Sequence, residues 1–265
     1  MSDDKNHTAC LILIGNEILS GRTQDKNLSY IAKGLNDVGV RLAEARVIPD
    51  VRETIIDTIN ECRANYDYVF TTGGIGPTHD DITSECIAQV FGVGMVRDPA
   101  TVELMTKRVE ARGDTMNEAR LRMATFPEGA SLLANRISAA PGYRIGNVFV
   151  MAGVPRVMQV MFDEALPQLE GGRRMKARGV AIDLGEGAIA EGLAQLQARH
   201  RDIDIGSYPQ MRTEGFRVSV VLRGTDEGLL DRVRDELLVL LRDLGGTPIE
   251  EDPDKAQASA EPEGA

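Results

Sequence analysis

A chain of 265 residues suits one medium domain plus a small one, and its 42 % of apolar residues is enough to bury a sizeable core. Its formal net charge of −11 excludes a protein that grips nucleic acid through a broad basic face. Residues 250–265 hold six acids and one Lys, which is −5, so the other −6 is a mild excess that leaves room for a local basic pocket. Cys10, Cys62 and Cys86 are the three cysteines, an odd number with no close pair. That excludes a CxxC metal site and a disulfide framework, and reads as three small buried apolar residues. The first ten residues, MSDDKNHTAC, show no basic and apolar leader, and no apolar run reaches membrane-spanning length. The expectation is a cytoplasmic protein with no membrane and no nucleic-acid partner.

Residues 1–8 are expected to be disordered. Residues 9–14 (ACLILI) are continuously apolar, as a strand covered on both faces must be. After Gly15, the positions Leu28, Ile31, Ala32, Leu35 and Val38 line one helical face that Gly39 ends. Residues 41–48 read as a second strand and 52–63 as a helix. Residues 66–71 read as a third strand, and 82–91 as a helix after the glycine loop. Strands alternating with helices imply a parallel sheet with right-handed crossovers. Ligands of such sheets gather beyond the carboxyl ends of the strands, where the loops after Ile14, Ile48 and Thr71 should converge.

Helices are expected over 99–112 and 117–124, then a buried strand over 147–152 and a helix ending near Leu169. The polar stretch GGRRMK, 171–176, marks a boundary between a domain of 9–170 and a smaller one of 177–247. The second domain reads as strand 177–184, helix 187–200, strands 203–208 and 216–223, and helix 226–244. The acidic, Ala/Pro-rich residues 248–265 are expected to be a disordered tail.

The stretch TTGGIGPTHDDIT, 71–83, concentrates the chemistry. Glycines let backbone N–H groups close on an anion, and the following helix turns its positive dipole end to the same spot. Gly73, Gly74, Ile75 and Gly76 could therefore cradle a phosphate or diphosphate. Asp80 and Asp81 sit at the start of the next helix, where one of them is expected to cap it. A second acid would repel the anion unless a cation stands between them. That conflict points to a divalent metal on Asp81 first and Asp80 second, or else to a base that positions water. His79 reads as an exposed loop residue.

The first loop, GNEILSGRTQDKN, offers Asn16, Glu17, Gly21 and Arg22, with Arg22 the natural anion partner. Asn27 or Asp25 caps the helix, or Asn27 joins the site. Asp50 serves a turn or takes a ribose hydroxyl. The turns AAPGYRIGN and MAGVPRVM follow, and Gly153 and Pro155 of the second stand as candidate pocket walls.

GNEILSGRTQDKN, TTGGIGPTHDDITSECIAQVFG, NRISAAPGY and VFVMAGVPR, in this order, resemble the molybdopterin-binding domain of the MoaB/MogA type, and most nearly that of the competence/damage-inducible protein A (CinA) family. The stretch beginning GEGAIAEGLAQL resembles the small second domain of such proteins. The resemblance covers about 8–247. It implies a three-layer α/β/α fold with a mostly parallel sheet, the molybdopterin-binding fold, plus a small α+β domain. It also implies a nucleotide or pterin diphosphate at the glycine loop, with Thr78 and Thr83 among the matching residues. In the CinA branch it implies a pyrophosphatase for ADP-ribose-type or FAD-type substrates, dependent on Mg, Mn or Co. The alternatives are a non-catalytic module that binds molybdopterin or a nucleotide, and a molybdopterin adenylyltransferase. A homo-oligomer, dimer or trimer, is implied, and the amidase domain of larger members is expected to be missing. Where the family pattern has an acid, this chain has Asn16; where it has Pro, this chain has Ala152.

Overall fold

The computed structural model describes residues 7–212 and 215–253, with two compact units, Met1–Arg173 and Arg174–Ala265. The first unit runs β1 (His7–Ile14), α1 (Asn16–Leu19), α2 (Asn27–Asp37), β2 (Val40–Ile48), α3 (Arg52–Asn65), β3 (Tyr68–Thr72) and α4 (Thr83–Phe91). It continues through β4 (Met95–Arg97), α5 (Pro99–Glu110), α6 (Glu118–Arg122), β5 (Thr125–Pro127), β6 (Ser131–Leu133), β7 (Gly142–Ile145), β8 (Val148–Met151) and α7 (Pro155–Ala165).

Six strands form the main sheet in the order β2-β1-β3-β8-β7-β6. β2, β1, β3 and β8 are mutually parallel, while β7 and β6 add an antiparallel edge. The alternation of β1 explains the layers. Cys10, Ile12 and Ile14 point to one side and pack with Ile55 and Ile59 of α3 and Ile87 of α4. Ala9, Leu11 and Leu13 point to the other and pack with Ile31 and Leu35 of α2 and Met158 and Phe162 of α7. This is a three-layer α/β/α unit. All six β1 residues from Ala9 to Ile14 are buried, so truncating Leu13 to Ala should cost about 2–5 kcal/mol.

The three cysteines are free and buried. The Sγ atoms of Cys10 and Cys62 lie 3.4 Å apart, joining β1 to α3 across the core, a proximity that the sequence spacing did not suggest. This thiol contact, with burial behind it, pushes the Cys10 thiol up.

The second unit holds β9 (Lys176–Ile182), α8 (Glu186–Arg199), β10 (Asp204–Arg212), β11 (Gly215–Gly224), α9 (Glu227–Asp243) and β12 (Ile249–Glu251). Its antiparallel sheet has the order β10-β11-β9-β12. Val218, Val220 and Leu222 of β11 meet Ile189 and Leu196 of α8 and Leu230, Val233 and Leu237 of α9.

Several expectations need correction. His7 and Thr8 belong to β1, where the Thr8 amide and hydroxyl donate to the Asp67 carboxylate. They are not part of a disordered leader; residues 1–6 lie outside the described residues. The expected tail begins with β12, which pairs with β9; residues 254–265 of that tail also lie outside the described residues. The turn after Ala140 contains β7, and the first loop contains α1. No helix among the described residues is long and apolar enough to cross a membrane.

Candidate functional site

Parallel pairing sets the carboxyl ends of β1, β3 and β8 at one sheet edge. A cavity of about 540 Å³ opens there. One wall is the glycine loop, Gly73 to Gly76, with Pro77 and Asp81. Gly153, Val154 and Pro155, after β8, form a second, and Glu17 of α1 a third. Met123, Met161 and Val157 supply apolar surface, and Ser138, Ala140 and Pro141 complete the lining.

The loop must be glycine-built. Gly73 has φ 103°, its N–H donates to the Met151 carbonyl at 3.1 Å, and a Cβ there would run into the carbonyl of Ile14. Gly74 has φ 68°, and a Cβ there would strike the Thr83 hydroxyl. Thr83 is buried, and its hydroxyl donates to the Gly73 carbonyl at 3.2 Å while its amide donates to Gly74 at 3.0 Å. So Thr83 fastens the loop to the first turn of α4. Among the described residues, no protein acceptor takes the N–H groups of Gly74, Ile75 and Gly76. Such free donors on a glycine loop are what an anion requires.

Neither aspartate caps α4: the cap position is Ile82, without a side-chain hydrogen bond. Instead both close on Thr78. Asp81 Oδ2 accepts the Thr78 amide at 2.8 Å and stands 2.6 Å from the Thr78 hydroxyl oxygen, which also touches Asp80 Oδ1. A hydroxyl has one proton, so it can donate to only one of two carboxylates at a time. The Thr78 contact holds the Asp80 carboxyl below its ordinary range. Arg122 of α6 braces the same turn from behind, with Nη1 at 3.1 Å from the Thr78 carbonyl and Nη2 at 3.3 Å from that of Asp81. Nothing in the sequence marked Arg122, because its partners on this turn are main-chain oxygens 41 and 44 residues away.

The remaining candidates divide. Glu17, Gly153 and Pro155 line the cavity with the glycine loop. Asn16 is exposed and outside the lining; its amide donates to Asp50 Oδ2 at 2.9 Å, which gives Asp50 a turn role. Gly21 and Arg22 are exposed and outside the lining. Asp25 accepts the amides of Asn27 and Leu28, so it secures the start of α2. Asn27 is buried, donates to the Gly153 carbonyl at 2.9 Å, and lines a small neighbouring cavity of about 40 Å³. Thus Asn27 holds the second wall in place from beneath. Thr78 and Asp80 lie behind Asp81 rather than on the lining. Met123, Ser138 and Met161 of the lining were not singled out by the sequence; they come from the end of α6, the turn before β7 and α7.

Residues 10–171 match the model of a probable molybdopterin-binding domain. The chain belongs to this molybdopterin-binding domain family. Residues 174–245 match the middle domain of FAD synthase. A CinA-like protein of Thermomicrobium roseum is 33 % identical over 91 % of this chain and 61 % of its own length. A probable FAD synthase of Caenorhabditis elegans is 32 % identical over 88 % of this chain and 50 % of its own. The crystal structure of CinA from Thermoplasma acidophilum superposes with a TM-score of 0.56 at 29 % identity, covering 61 % of this chain and 97 % of that one. The molybdopterin-binding match spans the unit that carries the cavity, and its glycine loop, Asp81 and second wall all fall inside the matched residues.

Proposed function

We propose that the cavity binds the diphosphate of a nucleotide or pterin and hydrolyses it with a divalent metal. The observation that carries this reading is the Thr78 turn: two carboxylates share one hydroxyl proton beside a loop with free N–H donors. The hard oxygen donors suit Mg²⁺ or Mn²⁺, and Co²⁺ is a third candidate. Among the described residues no group of three or more His, Cys, Asp and Glu side chains gathers. That fits a metal held by one or two carboxylates and completed by phosphate oxygens and water. Asp81, which lines the cavity, would hold it first, with Asp80 of the same turn second, and when bound it would neutralise charge building on the leaving phosphate.

The chain's own residues do the rest. Gly74, Ile75 and Gly76 donate main-chain N–H groups to the diphosphate. Thr83 holds the Gly73 and Gly74 carbonyls through its hydroxyl and its amide. The apolar wall of Met123, Val157 and Met161 excludes water from the ring end of the ligand, so that its hydrolysis is confined to the polar end. Cleavage of ADP-ribose would then give AMP and a sugar phosphate. The FAD synthase names of two relatives and of the second-unit match favour FAD as a companion substrate or ligand.

A binding module without turnover is the second reading, motivated by Asn16 at a position where the family pattern has an acid. Asn16 stands outside the cavity lining, which favours the catalytic reading. The test is incubation of the purified protein with ADP-ribose, FAD and NADH, each with Mg²⁺, Mn²⁺ and Co²⁺. AMP release with any pair supports hydrolysis. Tight binding by calorimetry without AMP leaves the module, and no binding at all removes both.

A further inference from the structure

The turn that brings Ser138, Ala140 and Pro141 to the cavity lining carries the one non-glycine residue among those described with a left-handed backbone, Ala139 at φ 67°. A left-handed alanine costs about 1–2 kcal/mol, so the surrounding structure must impose it. Asn135 does so. It is 5 % exposed, and every part of its amide is used. Oδ1 accepts the amides of Ile137 at 2.9 Å and Ser138 at 3.4 Å. Nδ2 donates to the Ala140 carbonyl at 2.8 Å and to Ser138 Oγ at 2.6 Å. The Ala139 amide adds a bond to the Asn135 carbonyl at 3.0 Å.

This network fixes the polarity of one hydroxyl. Main-chain N–H groups can only donate and the Ala140 carbonyl can only accept, so the two ends of the Asn135 amide are not interchangeable. Ser138 Oγ therefore faces an N–H and must accept from it. Its own proton is left for another acceptor, and Ser138 is exposed on the cavity lining. Ala140, Pro141, Met123 and Met161 of the same lining are apolar. Ser138 and the glycine loop line the same cavity, so a diphosphate on the loop leaves the rest of its ligand in the space that Ser138 borders.

We propose that Ser138 is a specificity-determining donor to a ring nitrogen or carbonyl of the ligand's heteroaromatic base, and that Asn135 is the positioning residue that aims it. This rests on the diphosphate reading of the cavity. A ring with an acceptor at that edge satisfies the hydroxyl; one with a donor there leaves both groups unpaired.

Two non-hydrolysable probes separate the ends of the site: adenosine 5′-(α,β-methylene)diphosphate, and methylenediphosphonate, which has the same phosphorus groups without the base. Binding is measured by calorimetry with Mg²⁺. Ser138→Ala should weaken the nucleotide about 10-fold, the worth of one hydrogen bond, and leave the diphosphonate unchanged. Ser138→Thr should restore the nucleotide, and Asn135→Ala should weaken it at least as much as Ser138→Ala. Undiminished nucleotide binding by Ser138→Ala overturns the assignment, as does an equal loss for both probes. If the wild-type protein binds the nucleotide but not the diphosphonate, the diphosphate cradle is what fails, and rescue by Ser138→Thr still decides the role of Ser138. Binding of neither probe by the wild type overturns both.

Discussion

Two short turns bound the cavity, and they are built on opposite principles. In the turn from Asn135 to Pro141 one amide supplies as many donors and acceptors as its surroundings need, and a single proton is left over on Ser138. In the turn from Thr78 to Asp81 two carboxylates compete for one hydroxyl, and negative charge is left over. Arg122 does not cancel it there, because its guanidinium reaches the turn's carbonyls and Glu85. On the proposed function, the closed network offers a donor and the open one receives a cation. The contrast explains how one cavity could treat the two ends of a ligand differently.

The comparison breaks most severely at the glycine loop. Gly73→Ala should destabilise the protein by about 3–5 kcal/mol, since φ 103° and the collision with the Ile14 carbonyl act together. Urea denaturation checks this, and a midpoint like that of the wild type would mean that the loop yields more easily than its packing indicates. Asp81→Asn comes next. The amide oxygen can still accept the Thr78 N–H, so the fold should persist while ADP-ribose hydrolysis falls about 100-fold. Turnover unchanged in that variant would remove Asp81 from the metal assignment. Asn135→Ala should cost about 2 kcal/mol through the loss of four hydrogen bonds, and should broaden ligand choice rather than stop hydrolysis.

Acid should distinguish the turns as well. The Asp80 carboxyl is held low in the folded chain by the Thr78 hydroxyl. Its contribution is present above the unfolded carboxylate value near 3.8 and is lost as pH falls below that toward the folded value. Divalent-metal binding should weaken through the same window, whereas the Asn135 network has no titrating group and should not respond. Metal titrations at stepped pH report the first, and the thermal stability of Asn135→Ala against wild type reports the second. A difference between those two proteins that widened as the pH fell would contradict the contrast.

The three-layer unit was legible because its long elements announce themselves. The continuous run ACLILI can only be a strand covered on both sides, and the helix positions Leu35 and Ile59 lie on clean faces. The strands β4, β5, β6 and β12 have three residues each, too few for a period, and became visible only through their partners. The glycine loop was legible because left-handed backbone and close approach both demand glycine. The reading of Asp80 or Asp81 as a helix cap failed because a local rule about helix starts lost to a nearer donor pair, the Thr78 amide and hydroxyl. Arg122 and Asn135 were hidden for a different reason. Most of their hydrogen bonds go to main-chain atoms, and such partners leave no pattern in side-chain spacing.

The smallest expected effect is the most direct test of the closed turn. Ala139 is 3 % exposed and packs in one cluster with Met105 and Ala124. Changing a buried alanine to glycine removes a methyl worth about 0.8 kcal/mol and adds unfolded-state freedom worth about 0.5–1 kcal/mol. At Ala124, which has no left-handed backbone, Ala124→Gly should therefore cost about 1.5 kcal/mol. At Ala139 the same two losses are met by the release of about 1–2 kcal/mol of left-handed strain, so Ala139→Gly should leave stability within about 0.5 kcal/mol of the wild type. Paired urea titrations of the two variants read the difference directly. Equal losses would mean that no strain is held at Ala139 and that the Asn135 network merely follows a turn the chain would adopt without it. A near-neutral Ala139→Gly beside a costly Ala124→Gly would mean that the network imposes the turn, and with it the direction in which Ser138 faces the cavity.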